Sequence, residues 1–183
     1  MAGYARGTSA QRKGVATAAA YNCDDAETCV RCVELLEPLL DDPDQGIREK
    51  AGEFLREPEV LRSPTGRRLA VVYAGGQEFT RHPFWLVEAI RKHQDSLVPL
   101  APVFDAVCGR LAADLADPAR RGDHRAWVDL ERFFPLTLRL YEQAEQGRDV
   151  QLRNRCLDWW DRLLEARLGG AAQALGELDA GAA

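Results

Sequence analysis

The 183-residue sequence has no run of about 18 apolar residues, the length a helix needs to cross a bilayer. Residues 1–13 hold no apolar segment of the kind that directs secretion. Lysine is scarce, three against 21 arginines, and acidic residues outnumber basic ones 29 to 24 for a net charge of −5. A chain that grips nucleic acid through phosphates needs a basic excess or a basic stripe, so this balance argues against that role. Fingerprints of chemistry are missing as well: there is no Gly-x-Ser-x-Gly, no phosphate loop and no dinucleotide-binding glycine motif. His82, His93 and His124 are the only histidines, and no two stand four apart as a zinc-protease helix requires. The expectation is therefore a non-enzymatic, cytoplasmic chain without membrane contact, with no catalytic, cofactor-binding or metal residue to name.

What is present suits a packed helical core. Hydrophobic residues make up 46% and charged residues 29%, an ordinary globular balance. A chain of this length buries roughly 70% of the surface its unfolded form exposes. Arginine offers a planar fork suited to carboxylates and interfaces; an Arg- and Ala-rich composition also follows from a GC-rich genome.

Apolar residues recur at helical spacing along most of the chain. Residues 1–22 read as a flexible or partly helical, Ala/Gly/Ser/Thr-rich lead-in. Asp24 and Asp25 suit helix caps, and Cys29, Cys32, Val33, Leu36, Leu39 and Leu40 then form one stripe. Pro43 stops that helix, and Asp44 caps a second, with Ile47, Ala51, Phe54 and Leu55 on its buried side. Ser63-Pro64 is a start signal for a segment carrying Leu69, Val72 and Tyr73 and closed by Gly75-Gly76; helix is preferred to a short strand because no second strand exists to pair with it. His82-Pro83 opens a helix with Trp85, Leu86, Ala89, Ile90 and His93. Pro99 and Pro102 open another with Phe104, Val107, Cys108, Leu111 and Leu115, which ends at Asp117-Pro118.

A longer pattern, Trp127, Leu130, Phe133, Phe134, Leu138 and Tyr141, is one that Pro135 should kink or split. Leu152, Cys156, Trp159, Trp160, Leu163 and Leu164 make the last strong stripe, expected to stop at Gly169-Gly170 before a short helix over 171–178 and a frayed tail at 179–183. The expected fold class is all-α: about eight helices in an α-solenoid or an irregular stack of antiparallel helix pairs, forming one domain over residues 23–178.

Two segments match residue for residue at an offset of 105. Asp44, Ile47, Arg48, Ala51, Phe54 and Leu55 correspond in type to Asp149, Leu152, Arg153, Cys156, Trp159 and Trp160. Each set reads as a cap, an apolar residue, an arginine, a small residue and two bulky apolars. The stretch from Leu36 to Leu55, with Pro38 in the first helix, Asp41 to Asp44 in the turn, then Ile47-Arg48 and Ala51, resembles the HEAT (armadillo-type) repeat family. That resemblance implies an interaction surface, commonly for proteins and sometimes for nucleic acid, and no catalytic residues. The segment from Leu138 to Leu178, with its Leu-Arg-Leu-Tyr-Glu-Gln and Arg-Cys-Leu-Asp-Trp-Trp-Asp, resembles helical C-terminal regions of large bacterial multidomain proteins, some of which act in signalling or phage defence.

Candidate sites are few. Cys29-x-x-Cys32, with Cys23 six residues earlier, offers three thiolates that could hold zinc, but Cys29 and Cys32 lie on the apolar stripe of a helix, so buried packing in a reduced cytoplasm is the favoured reading. The early carboxylates sit where helix caps are needed. Arg120, Arg121 and Arg125 flank His124 in a basic loop that could meet an anion. Trp159 and Trp160 are adjacent and cannot share one helix face, so one of them is expected at the surface, where tryptophan often anchors binding. These two tryptophans and three arginines form the candidate interaction surface, with another protein as partner. A nucleic-acid-binding HEAT-type protein or glycosylase is one alternative. A detached helical part of a signalling or defence NTPase is the other. Oligomeric state is not addressed by the sequence.

Overall fold

The computed structural model describes residues 7–22, 26–117, 119 and 124–181. Among them the fold is all-α, with nine helices and no strand. They are α1 (Ser9–Tyr21), α2 (Ala26–Leu36), α3 (Gln45–Glu53), α4 (Pro64–Gly75), α5 (Gln77–Arg81), α6 (Pro83–Lys92), α7 (Ala101–Ala116), α8 (His124–Gln146) and α9 (Val150–Gly181). Short 3-10 turns at Glu37–Leu39, Phe54–Arg56, Pro58–Arg62 and Val98–Leu100 join several of them. No helix among the described residues is long and apolar enough to cross a membrane. The chain forms two compact units, residues 1–103 and 104–183, where the sequence reads as a single domain over 23–178.

In the first unit the boundaries follow local chemistry. Asp44 caps α3 by accepting from the Gly46 amide, and Ser63 caps α4 by accepting from the Gly66 amide with Pro64 at the first helical position. Gly76 comes directly after the last turn of α4, and Leu69 to Tyr73 are helical rather than extended. The Asp24 and Asp25 caps lie outside the described residues.

The lead-in holds more structure than its composition suggests. Thr8 and Gln11 form a capping box at the head of α1. This helix packs on both α2 and α3 and buries Ala16 and Ala19. Polar contacts fix it to the 41–44 turn: Arg12 Nε lies 2.5 Å from Asp42 Oδ2, and Ser9 Oγ donates to Asp44 Oδ2 at 2.7 Å. Burial pushes the Asp42 carboxyl up, but hydrogen bonds from the Arg12 guanidinium and the Asp44 amide outweigh it and hold the group below its ordinary value. Helix α3 therefore packs mainly against α1 and the 37–39 turn rather than against α2.

Two glycines allow close approach in this unit. A Cβ on Gly66 would fall 1.8 Å from the Val60 carbonyl oxygen, and one on Gly52 would fall 2.5 Å from Tyr73 Cε2 and 3.2 Å from Trp85 Cζ3. Gly52 thus lets α3 lie against an aromatic cluster in which Tyr73 stacks on Trp85 and meets Phe79 edge-on.

The second unit has an aromatic core. Phe104 stacks on Trp159 at 5.9 Å and packs against Phe133 at 5.2 Å. Helix α8 runs unbroken through Pro135, so the expected split does not occur. It joins α9 through a tight turn in which the Arg148 amide donates to Glu145 O and the Asp149 amide to Ala144 O. Arg148 occupies the left-handed region at φ 56, the place where a glycine usually closes a helix. Asp149 then caps α9 by accepting from the Leu152 amide at 2.9 Å. Helix α9 continues through Gly169 and Gly170 to Gly181. The two expected elements, a helix ending at 169–170 and a short one over 171–178, are thus a single helix. Each glycine lowers helix propensity by roughly 1 kcal/mol relative to alanine, which weakens a helix without requiring it to stop.

Candidate interaction face

Helix α9 carries two apolar stripes. Leu152, Cys156, Trp159 and Leu163 face the core and are buried. One residue further along, Leu157, Trp160, Leu164 and Leu168 recur at the same helical spacing. Trp160 is half-buried, and the three leucines are 41%, 54% and 59% exposed. Helix α8 repeats the arrangement: Leu130, Phe133, Leu140 and Ala144 are buried, while Phe134 and Leu138 are exposed and Tyr141 is half-buried.

Trp160 ties the outer stripes together. Its ring lies 5.8 Å from Phe134 and 5.3 Å from Tyr141. Its indole N–H donates to Thr137 Oγ1 at 2.8 Å, and that hydroxyl donates onward to Phe134 O at 2.7 Å. The polar edge of the indole is therefore satisfied internally, and what it offers outward is apolar. Arg153 lies over the Tyr141 ring at 5.7 Å.

Beyond the outer stripes, on the side away from the core, stand exposed carboxylates. Helical spacing places Glu131 and Glu142 there on α8, and Asp158, Asp161 and Glu165 on α9. Arg155, by contrast, pairs with Asp105. Arginines stand among the carboxylates, Arg132 and Arg139 on α8 and Arg153, Arg162 and Arg167 on α9, so the face is apolar along its centre and carries charges of both signs along its rims.

Of the residues expected at an interaction surface, Trp159 is only 2% exposed; its Nε1 donates to Asp105 Oδ1 at 2.6 Å. It is a core residue. Trp160 is the partner at the surface. Arg120 and Arg121 lie outside the described residues, as does the side chain of Arg125, although its backbone belongs to α8. Phe134 and Leu164 enter the sequence reading only as members of the apolar patterns, and Leu157 and Leu168 not at all; the signal for an outer face is the second stripe, shifted by one residue from the first.

No protein-family model, curated protein or solved structure matches the chain.

The cysteines divide by chemistry. Cys29 is disulfide-bonded and so supplies no thiolate to a zinc site; the sequence reads as placing a buried thiol there. Cys23 itself is not described. Cys32 is buried, with its sulfur 3.9 Å from Asn22 O. Cys108 and Cys156 are buried free thiols. Burial pushes the Cys108 thiol up to about 12 and the Cys156 thiol up to about 11, which keeps both protonated and unreactive near neutral pH. Among the described residues, one group brings metal-ligating atoms together, Glu49, Glu78 and His82 in the first unit.

Proposed function

We propose that the chain is a non-catalytic helical interaction module, and that it binds an amphipathic helix of another protein on the outer face of α8 and α9. The observation that carries this reading is the apolar strip around Trp160, from Phe134 and Leu138 to Leu157, Leu164 and Leu168, bordered by carboxylates and arginines. An amphipathic helix seats its apolar residues in such a strip at i, i+3, i+4 and i+7 spacing. Rims that carry both signs suit a helix whose apolar stripe is flanked by charged residues of both signs. The HEAT-like resemblance of Leu36 to Leu55 supports the same class of role, and the missing catalytic motifs leave no competing chemistry to weigh.

A photo-crosslinking amino acid placed at Leu164, on the face, and separately at Gln151, exposed on α9 away from it, tests the reading in the native host. A discrete cross-linked protein is expected from position 164, lost when Phe134 and Leu157 are replaced by aspartate. Equal cross-linking from both positions, or none from 164, would sink the proposal. A cross-link to a second copy of this chain would replace the foreign partner with self-association.

A further inference from the structure

Glu78 in α5 is 2% exposed. Its Oε1 accepts from Arg48 Nε at 2.8 Å and from Arg81 Nη1 at 3.4 Å. Its Oε2 is buried and accepts no hydrogen bond. A buried carboxylate oxygen left without a partner is costly and calls for an explanation, an absent ion among them.

The neighbours of that carboxylate are ligand types. One carboxylate oxygen each from Glu49 and Glu78 and one ring nitrogen of His82 lie within 4.8 Å of one another. His82 stands at the junction of α5 and α6, and its ring is held flat on Trp85, 4.3 Å away and 14° from parallel. Its main chain is held by the Tyr73 hydroxyl, which donates to His82 O at 3.0 Å. The ring so positioned turns Nε2 toward Glu49 Oε1, 3.7 Å away. Glu49 reaches in from α3 and is half-buried.

We propose that Glu49, Glu78 and His82 form a binding site for a divalent first-row transition-metal ion, with zinc as the ion to test and water completing the coordination. One imidazole and two carboxylates suit zinc, cobalt or manganese better than a calcium-type oxygen cage. Ligand atoms on a tetrahedral ion with bonds near 2.0–2.1 Å stand roughly 3.3–3.5 Å apart. The separation of Glu49 and His82 is already close to that, and Glu49, the most exposed of the three, closes the remainder against the bond its Oε1 accepts from Gln45 Nε2 at 2.7 Å. Arg48 and Arg81 oppose a cation. Both sit on Oε1, however, and Arg48 also donates to Asp42 O and Pro43 O. Arg48 thereby holds Glu78 in place through Oε1, as outer partners of metal-binding carboxylates do. A bare Glu49–His82 ion pair would account for those two residues but leaves Oε2 of Glu78 without a partner.

The test is titration of the full chain with zinc by calorimetry and with cobalt by visible absorption. The expected result is one ion per chain, with cobalt bands of a nitrogen–oxygen site and no thiolate charge-transfer band. Glu49→Gln and His82→Gln should each weaken binding at least tenfold with the helical circular dichroism unchanged, while Cys32→Ser should bind as the parent does. Glu49→Gln is decisive, because a half-exposed side chain of unchanged size leaves the fold alone. The proposal is overturned if the parent takes up no zinc, if Glu49→Gln binds as tightly as the parent, or if Cys32→Ser abolishes binding.

Discussion

At the head of α3, Asp44 Oδ1 accepts from the Gly46 amide at 2.9 Å; at the head of α9, Asp149 Oδ1 accepts from the Leu152 amide at 2.9 Å. Behind each cap the next positions agree. Ile47 and Leu152 are buried, and so are Ala51 and Cys156, and Phe54 and Trp159. The segments diverge at the arginine, at the residue after the small one, and at the second bulky apolar, where Leu55 is buried and Trp160 half-buried. Arg48 forms an ion pair with buried Glu78, whereas Arg153 lies over an aromatic ring and leaves its Nε without a hydrogen bond. Gly52 is pressed under Tyr73 and Trp85, whereas Leu157, its counterpart 105 residues on, is exposed. One pattern of cap, stripe and small residue thus makes a helix enclosed on two sides in one unit and a helix with a free outer face in the other. The lesson is that a stripe fixes which side of a helix is buried first; the residues beside it decide whether a second side is buried too.

Exchanging character at the divergent positions breaks the comparison most sharply. Gly52→Leu has no room and should prevent cooperative folding of the first unit, while Leu157→Ala should change stability by no more than about 0.5 kcal/mol. Urea denaturation measures both, and a folded Gly52→Leu would show that the enclosure is not real. Next in size are the arginines. Arg48→Met leaves the buried Glu78 carboxylate only the longer contact to Arg81 and should cost up to about 3–5 kcal/mol, while Arg153→Met removes a ring contact worth about 0.5–1 kcal/mol. Equal costs in thermal melts would erase the difference between the two sites.

A smaller effect of opposite sign is expected at the turn before α9. Arg148→Gly relieves a left-handed residue and should stabilise by about 0.5–1 kcal/mol; a loss of stability would mean that the arginine side chain contributes there. The smallest effect is pH-dependent. The folded Asp42 carboxyl lies below its unfolded value, so its contribution is complete above about pH 4 and is lost as pH falls through the folded value. Amide exchange over residues 9–21 should therefore rise in acid before that of α4, and Arg12→Ala should produce the same loosening at neutral pH.

Much of the fold is legible in the sequence because its signals are local. Asp44, Ser63-Pro64, Asp149 and the glycines at 75–76 mark boundaries by their own hydrogen-bonding and backbone chemistry. Helix α1 escapes a periodicity reading because alanines give no contrast, although Thr8 and Gln11 stand at capping-box spacing. Gly169-Gly170 misleads in the other direction: a glycine pair weakens a helix, and whether the helix ends there depends on the residues beyond the pair. Of the candidate surface, Trp160 is within reach, since two adjacent tryptophans must face differently. Which of them turns inward depends on Asp105, a residue 54 positions away from Trp159. The Glu49, Glu78 and His82 cluster is half-visible. Glu78 and His82 stand four apart on one turn, but Glu49 joins them only through the packing of α3 beside α5.

The indole pair at 159 and 160 also supplies an optical gauge. Trp159 is sealed in the core and bonded to a carboxylate, so its emission should stay constant when anything settles on the outer face. Trp160 has one edge of its ring still open to water. Its emission should move to shorter wavelength as that water is displaced. With Trp85, Trp127 and Trp159 each replaced by phenylalanine, Trp160 is the one indole left, and occupancy of the face becomes readable from the protein's own light, without a label on either molecule.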